Sequence, residues 1–260
     1  MSVISAVKGR HDITVDSFIS IWENASDTKN IEHIVIFDNH DHDMRDLLQS
    51  YSNMCVQYNL KLKIMVANFD STVHYQYRNM HRDYWNRMAV ASRGDIIFGL
   101  CNDTIIVTKD YDTIMENAVK EYKAKYHHEF FQIFIDDDWD EKHSYCSWII
   151  LTKPCIQVFN GIAPEEISSQ GADQFVASLF HSTDIKSIID LRDQIKTKQI
   201  SVQKGNYDSD FVQDERPVSD HNRPEWPFYS DLLYRKQHYY HRLNNNILQS
   251  VFRNRNYEKD

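Results

Sequence analysis

The sequence predicts an α/β protein, with a doubly wound, mostly parallel sheet in its first half, a less regular second half and a C-terminal helix. Three observations predict it. Apolar runs and helical patterns alternate as β-α-β-α-β-α-β between Val3 and Leu100, the order that places helices between parallel strands. The alternation loses its regularity after Cys101, and the chain closes on a long pattern, Phe228 to Phe252, that reads as one helix.

The elements follow in order. Val3 to Val7 is a buried strand, and Ser17 to Ala25 a helix with Phe18, Ile21, Trp22 and Ala25 at helical spacing. His33 to Phe37 is the second strand. Asp43 opens a helix to about Tyr58, with Leu47, Leu48, Tyr51 and Met54 or Cys55 on one face. Leu60 to Val66 is the third strand, Tyr84 to Ala91 a helix, and Gly94-Asp95 turns into the apolar strand Ile96 to Leu100. In such a sheet, sites form at the carboxyl ends of the strands.

In the second half, Ile105 to Val107, Phe130 to Ile135 and Ser147 to Leu151 read as strands that need not be parallel. Thr113 to Tyr126, Gly171 to Phe180 and Asp184 to Lys196 read as helices. Ser201 to Pro227 is rich in Asp, Asn, Ser and Pro and lacks periodicity, which suggests a long loop, either a lid or a linker. The expected organisation is a domain over 1–200, the loop over 201–227 and a helical appendage over 228–260.

Composition narrows the class. With 42% hydrophobic and 26% charged residues the chain is ordinary for a globular protein, so disordered and fibrous classes are excluded. Only 6 glycines occur, and neither the P-loop nor the dinucleotide glycine fingerprint is present. No apolar stretch approaches the roughly 20 residues that span a bilayer, and Val3 to Val7 is too short for a signal-peptide core. Cys55, Cys101, Cys146 and Cys155 form no C-x-x-C pair and read as reduced thiols, so a cytoplasmic location is expected. Net charge is −9, yet Leu232 to Tyr257 carries Arg235, Lys236, Arg242, Arg253 and Arg255 without Asp or Glu.

The segment Asn86 to Asp112 carries the most chemistry. A helix leads through Arg93-Gly94-Asp95 into a buried strand that ends in the polar triplet Cys101-Asn102-Asp103. A carboxylate at the carboxyl end of a central strand can hold a hard cation, which in turn neutralises a diphosphate. Asn-Asp is also a common turn pair.

This segment resembles the stretch around the DXD motif of GT-A glycosyltransferases, especially family 2-like enzymes, where an A-x-G-D-I-apolar strand runs into paired acidic residues. Three further segments agree in order: Val3 to Arg10 with the nucleotide loop, His33 to Asp43 with the base-contacting Asp, and Ser168 to Phe180 with the acceptor-side carboxylate. The match runs from Ser2 to about Phe180. The resemblance implies a GT-A-like fold that binds a nucleotide-sugar donor and a divalent metal ion, Mn²⁺ or Mg²⁺, and transfers sugar to a hydroxyl acceptor. It makes Ala6, Lys8, Arg10, Asp38 and Arg82 nucleotide contacts, Asn86 and Asn102 donor-sugar contacts, and Asp103 the metal ligand. His221 is a further metal ligand from a closing loop, with His181 as its competitor, and Asp173 is the general base. The chain departs from the family where Asn102 replaces the first acidic residue of the pair.

Each role has a structural counterpart. Asp38-Asn39 can start a turn, and Asp173 can serve the dipole of its own helix. His40-Asp41-His42-Asp43 reads as a solvated loop, because residues two apart in a strand point in opposite directions. Asp136 to Glu141 reads as an acidic loop anchored by Trp139. The basic, aromatic tail suits DNA or an anionic surface, or a helix that packs its Tyr and Leu face on the domain. Other function classes are a nucleotidyltransferase and a non-catalytic nucleic-acid-associated protein. For a transferase, the acceptor is a glycan or a hydroxylated DNA base.

Overall fold

The computed structural model describes residues 1–7, 11–67, 80–138, 145–165, 172–200 and 229–257. Strands β1 (Ser2–Val7), β2 (Glu32–Asp38), β3 (Lys61–Ala67) and β4 (Ile96–Gly99) run parallel, with α1 (His11–Glu23), α2 (His42–Gln57) and α3 (Asn86–Ala91) between them. A π-helical turn, His81–Trp85, leads into α3. Then come β5 (Thr104–Ile106), α4 (Tyr111–Tyr126), β6 (Gln132–Phe134), β7 (Ile150–Thr152), α5 (Lys153–Phe159) and α6 (Ala172–His181). The chain finishes with β8 (Ile188–Asp190), β9 (Thr197–Gln199) and the 29-residue α7 (Tyr229–Tyr257).

Among the described residues, seven strands form one sheet in the order β3-β2-β1-β4-β7-β6-β8, and β5 pairs with β9 in a second, two-stranded sheet. Strand β7 is antiparallel to both neighbours. The expected mostly parallel sheet is present. Strands β1, β2 and β4 read as continuous apolar runs because both their faces are covered, so alternate residues feed two cores. Val3, Val35 and Phe98 join Phe18, Leu48 and Met115 on one face. Ile4, Ile34 and Ile97 join Met88, Phe159, Phe180 and Leu243 on the other.

One polar chain crosses the first core. His33 Nδ1 meets the Tyr51 hydroxyl at 2.9 Å, His33 Nε2 meets Ser5 Oγ at 3.1 Å, and Trp22 Nε1 donates to the Tyr51 hydroxyl at 2.6 Å. All ring nitrogens are matched, as burial requires. Burial depresses the His33 pKa to about 3, so the ring is neutral.

The structure departs from the sequence expectations in several places; helix α1 starts at His11 rather than Ser17, and β9 is an added strand. Asp184 to Lys196 is not helical: Ile188 and Ile189 pair in parallel with Gln132 and Ile133, and a turn at Leu191 to Gln194 then delivers the chain to β9. Helix α5, unanticipated, follows β7 directly with Pro154 in its first turn, where a missing N–H costs nothing. The second helix begins at His42 rather than Asp43, because the Asp41 carboxylate accepts the Met44 N–H at 2.9 Å as N-cap. That places the His-Asp run in a cap and a first turn.

The tail helix packs on α5 and α6 through Leu243, Ile247 and Val251. Among the described residues, no helix is long and apolar enough to cross a membrane. The proposed loop over 201–227 lies outside the described residues.

Candidate active site

The β4–β5 turn is held from three sides. Gly94 lets β4 start against β1, since a Cβ there would lie 2.5 Å from Met1 C and Ser2 N. Its N–H donates to Ser2 Oγ at 2.8 Å. Past the strand, the Thr104 N–H closes a turn on Cys101 O at 3.2 Å. Helix α1 grips this turn: Asn102 Nδ2 donates to Thr14 Oγ1 at 2.8 Å, Ser17 Oγ to Thr104 O at 2.6 Å, and Ser20 Oγ accepts from Ile106 N at 3.0 Å. On the far side the Ile200 N–H donates to Asp103 O at 2.9 Å. With Asn102 turned toward α1, Asp103 opens on a cleft.

That cleft, about 370 Å³, is lined by Cys101, Asp103, Tyr145, Ser147, Trp148, Asp173 and Gln199. Asp103 leaves the central sheet, whereas Asp173 comes from the first turn of α6. The fold thus brings two of the residues singled out in the sequence to one place. The walls are braced: Trp148 Nε1 donates to Thr197 Oγ1 at 3.0 Å, and Gln174 Nε2 donates to the Tyr145 hydroxyl at 3.0 Å. The Ser147 N–H donates to the Asp137 carboxylate at 2.6 Å. Burial pushes the thiol of Cys146, behind these residues, up to about 12, and the Asp137 and Asp173 carboxylates act in the same direction, so this thiol is inert. Tyr145, Ser147, Trp148 and Gln199 are lining residues that the sequence pattern does not single out; Ser147-Trp148, just ahead of an apolar strand, is the available signal.

Other residues singled out in the sequence sit elsewhere. Asp38 ends β2 on the same carboxyl edge, 4% exposed, and its carboxylate accepts the His40 N–H at 3.3 Å. It does not line the 370 Å³ cleft. Strand β1 separates β2 from β4, a lateral offset of about 10 Å, and the register sets Gly99, the end of β4, level with Ile34, four residues before Asp38. Ala6, half-buried, is the penultimate residue of β1. Arg82 is exposed and pairs with Asp83 at 2.8 Å at the start of the helical return to β4. Asn86 is a bracket: Oδ1 accepts from Ile162 N at 2.9 Å and Ala163 N at 3.3 Å, while Nδ2 donates to Ala163 O at 2.9 Å. Lys8, Arg10 and His221 lie outside the described residues, as does Trp139. His181 ends α6 against the Phe134 ring, at 5.8 Å between centroids.

Among the described residues, no three His, Cys, Asp or Glu side chains form a ready cation cage. The cleft fits a different mode, in which one or two carboxylates and the substrate's phosphate oxygens share the ion. Asp103 lines the cleft and offers a carboxylate oxygen of the kind this mode needs, whereas Asn102, whose Nδ2 donates to Thr14, does not line it.

No family model and no curated protein matches the sequence. Solved structures do match. The chain superposes on Staphylococcus aureus TarS 1-349 with a TM-score of 0.54 at 14% identity, covering 78% of this chain and 61% of that one. It also superposes on the Pyrobaculum calidifontis mannosyltransferase PcManGT, solved with GDP-Man and Mn²⁺, with a TM-score of 0.53 at 12% identity, covering 74% and 54%. For GalNAc-T7, solved with UDP, GalNAc and Mn²⁺, the TM-score is 0.53 at 11% identity, covering 76% and 43%. The chain therefore spans less than two thirds of each of these proteins. Sheet order, the carboxyl-edge cleft and these likenesses together show that the chain has a GT-A-like fold.

Proposed function

We propose that this protein is a glycosyltransferase that moves a sugar from a nucleoside-diphosphate donor to a hydroxyl acceptor. The observation that carries this reading is the shared cleft of Asp103 and Asp173 at the carboxyl edge of the sheet. The structural neighbours give it context, since TarS has been solved with UDP and with UDP-GlcNAc, and PcManGT with GDP-Man and Mn²⁺.

In this reading the nucleoside lies over β1 and β2, with Asp38 at the base or ribose and Ala6 below it. Lys8, Arg10 and Arg82 supply positive charge to the phosphates, and the diphosphate reaches Asp103. Asn86 and Asn102 act at the donor sugar by holding the chain around it, through Ile162-Ala163 and Thr14 respectively. Asp173 takes the proton of the acceptor hydroxyl as its oxygen attacks the anomeric carbon and the bond to the diphosphate breaks. With Asp173 opposite the leaving group, the anomeric configuration inverts. A Mn²⁺ or Mg²⁺ ion, held by Asp103 with His221 as a second ligand, would neutralise the charge that builds on the departing diphosphate.

A thermal-shift panel tests this function: UDP-, GDP- and TDP-sugars and CMP donors, each with and without Mn²⁺. A donor at 100 times its dissociation constant should stabilise the fold by about 2.7 kcal/mol. Failure of every donor to shift the transition, with and without metal, would contradict the proposal.

A further inference from the structure

A cleft larger than that of Asp103 lies at the opposite end of the sheet, and we propose that it binds a single-stranded nucleic acid through its phosphodiester backbone. It encloses about 1660 Å³ at the amino edge of the parallel strands, between β3, the Arg93-Gly94-Asp95 turn, α4, α5 and the last turns of α7. Sites for small ligands run to about 1,000 Å³, so this volume suits a polymer.

Charge decides which polymer. Seven Lys or Arg side chains and four Asp or Glu line the cleft, an excess of positive charge in a chain whose net charge is −9. The acidic members are mostly engaged. Glu116 pairs with Lys120 at 3.7 Å and Glu129 with Lys123 at 2.7 Å. The Glu32 carboxylate accepts from Ser2 Oγ and from the N–H groups of Arg93 and Gly94. The remaining cations are Lys61 and Lys63, two apart on β3 and so on one face, with Arg93, Lys153 and Arg253 on other walls. A basic trough in a chain of net negative charge focuses a polyanion there. Lys153 Nζ is fixed by bonds to Ser92 O at 2.6 Å, Ser92 Oγ at 3.1 Å and Ala89 O at 3.3 Å, so it adds positive charge to the trough and leaves the direct phosphate contacts to the other cations.

Shape separates a strand from a lipid surface. A bilayer requires a convex or flat face with apolar groups to insert, whereas this surface is concave and mixes its cations with the amides of Asn160 and Asn246. A strand laid in a groove meets cations from several sides, as single-strand binders arrange them. This role is independent of sugar transfer, because the trough and the Asp103 cleft lie at opposite edges of the sheet.

The test is fluorescence anisotropy of the full chain with a labelled single-stranded oligonucleotide, titrated at several salt concentrations and without donor. Neutralising three or four phosphates predicts a slope of log K against log salt of about −2 to −3. Lys63→Glu with Arg253→Glu, both exposed, should weaken binding at least about tenfold at low salt and flatten the slope by roughly 0.7 for each phosphate no longer neutralised. Circular dichroism confirms that the double variant is folded. Absence of binding by the wild type, or equal binding by the folded double variant, overturns the proposal. So does binding to phosphatidylserine vesicles without binding to the oligonucleotide.

Discussion

Asn102 gives its side-chain N–H to Thr14 Oγ1 at 2.8 Å, and this buried bond between the β4–β5 turn and α1 turns Asn102 away from the cleft that Asp103 lines. Asn102→Ala should cost about 1 kcal/mol in urea unfolding, the usual worth of such a bond. Thr14→Val should cost a similar amount, and the double variant less than the sum, because both remove the same hydrogen bond. Full additivity would show that the bond does not hold the turn.

The bracket around Asn86 makes a second prediction. A Cβ on Gly161 would lie 2.1 Å from Asn86 Cγ, so Gly161→Ala must displace the side chain that binds Ile162 and Ala163. A loss of about 1–3 kcal/mol is expected. Asn86→Ala should lose a comparable amount by leaving buried backbone groups unpaired. An unchanged urea midpoint for Gly161→Ala would contradict the close approach.

His33 sets a pH dependence. Its folded-state pKa, about 3, lies below the ordinary 6.5, so the unfolded chain binds a proton that the native ring refuses. This contribution is complete above pH 6.5 and is lost as pH falls toward 3. Between pH 7 and pH 5 it amounts to about 2 kcal/mol. In His33→Gln the stability lost over that interval should shrink by about this amount. The same loss in both proteins would place the titration elsewhere.

These positions show what the sequence could and could not reveal. Strands β1, β2 and β4 were legible because sheets covered on both faces produce unbroken apolar runs such as Ile34 to Phe37. Residues Asp184 to Lys196 were misread because Ile188-Ile189 becomes a strand only through its partner β6, more than 50 residues away. Helix α5 was missed because Cys155, Ile156, Val158 and Phe159 are all buried, which leaves no polar face to reveal a period. The turn at Asn102-Asp103 and the first-turn position of Asp173 were both readable. Their meeting in one cleft was not, since 70 residues of chain separate them.

Asp173→Asn isolates the proposed chemistry. The substitution keeps the shape and removes the proton acceptor, so turnover should fall by about 10² to 10⁴ while donor affinity stays nearly unchanged. Retained turnover, or joint loss of donor binding and stability, would make Asp173 a structural carboxylate of the α6 amino end.

The most direct test is calorimetry of the stabilising nucleotide-sugar on the wild type, Asp38→Ala and Asp103→Ala, each with and without Mn²⁺. The account predicts that Mn²⁺ tightens donor binding to the wild type and that folded Asp103→Ala loses this increment but keeps the metal-free affinity. Asp38→Ala should bind donor more weakly under both conditions. A folded Asp103→Ala protein with the full Mn²⁺ increment would contradict the assignment of this cleft as the donor diphosphate site.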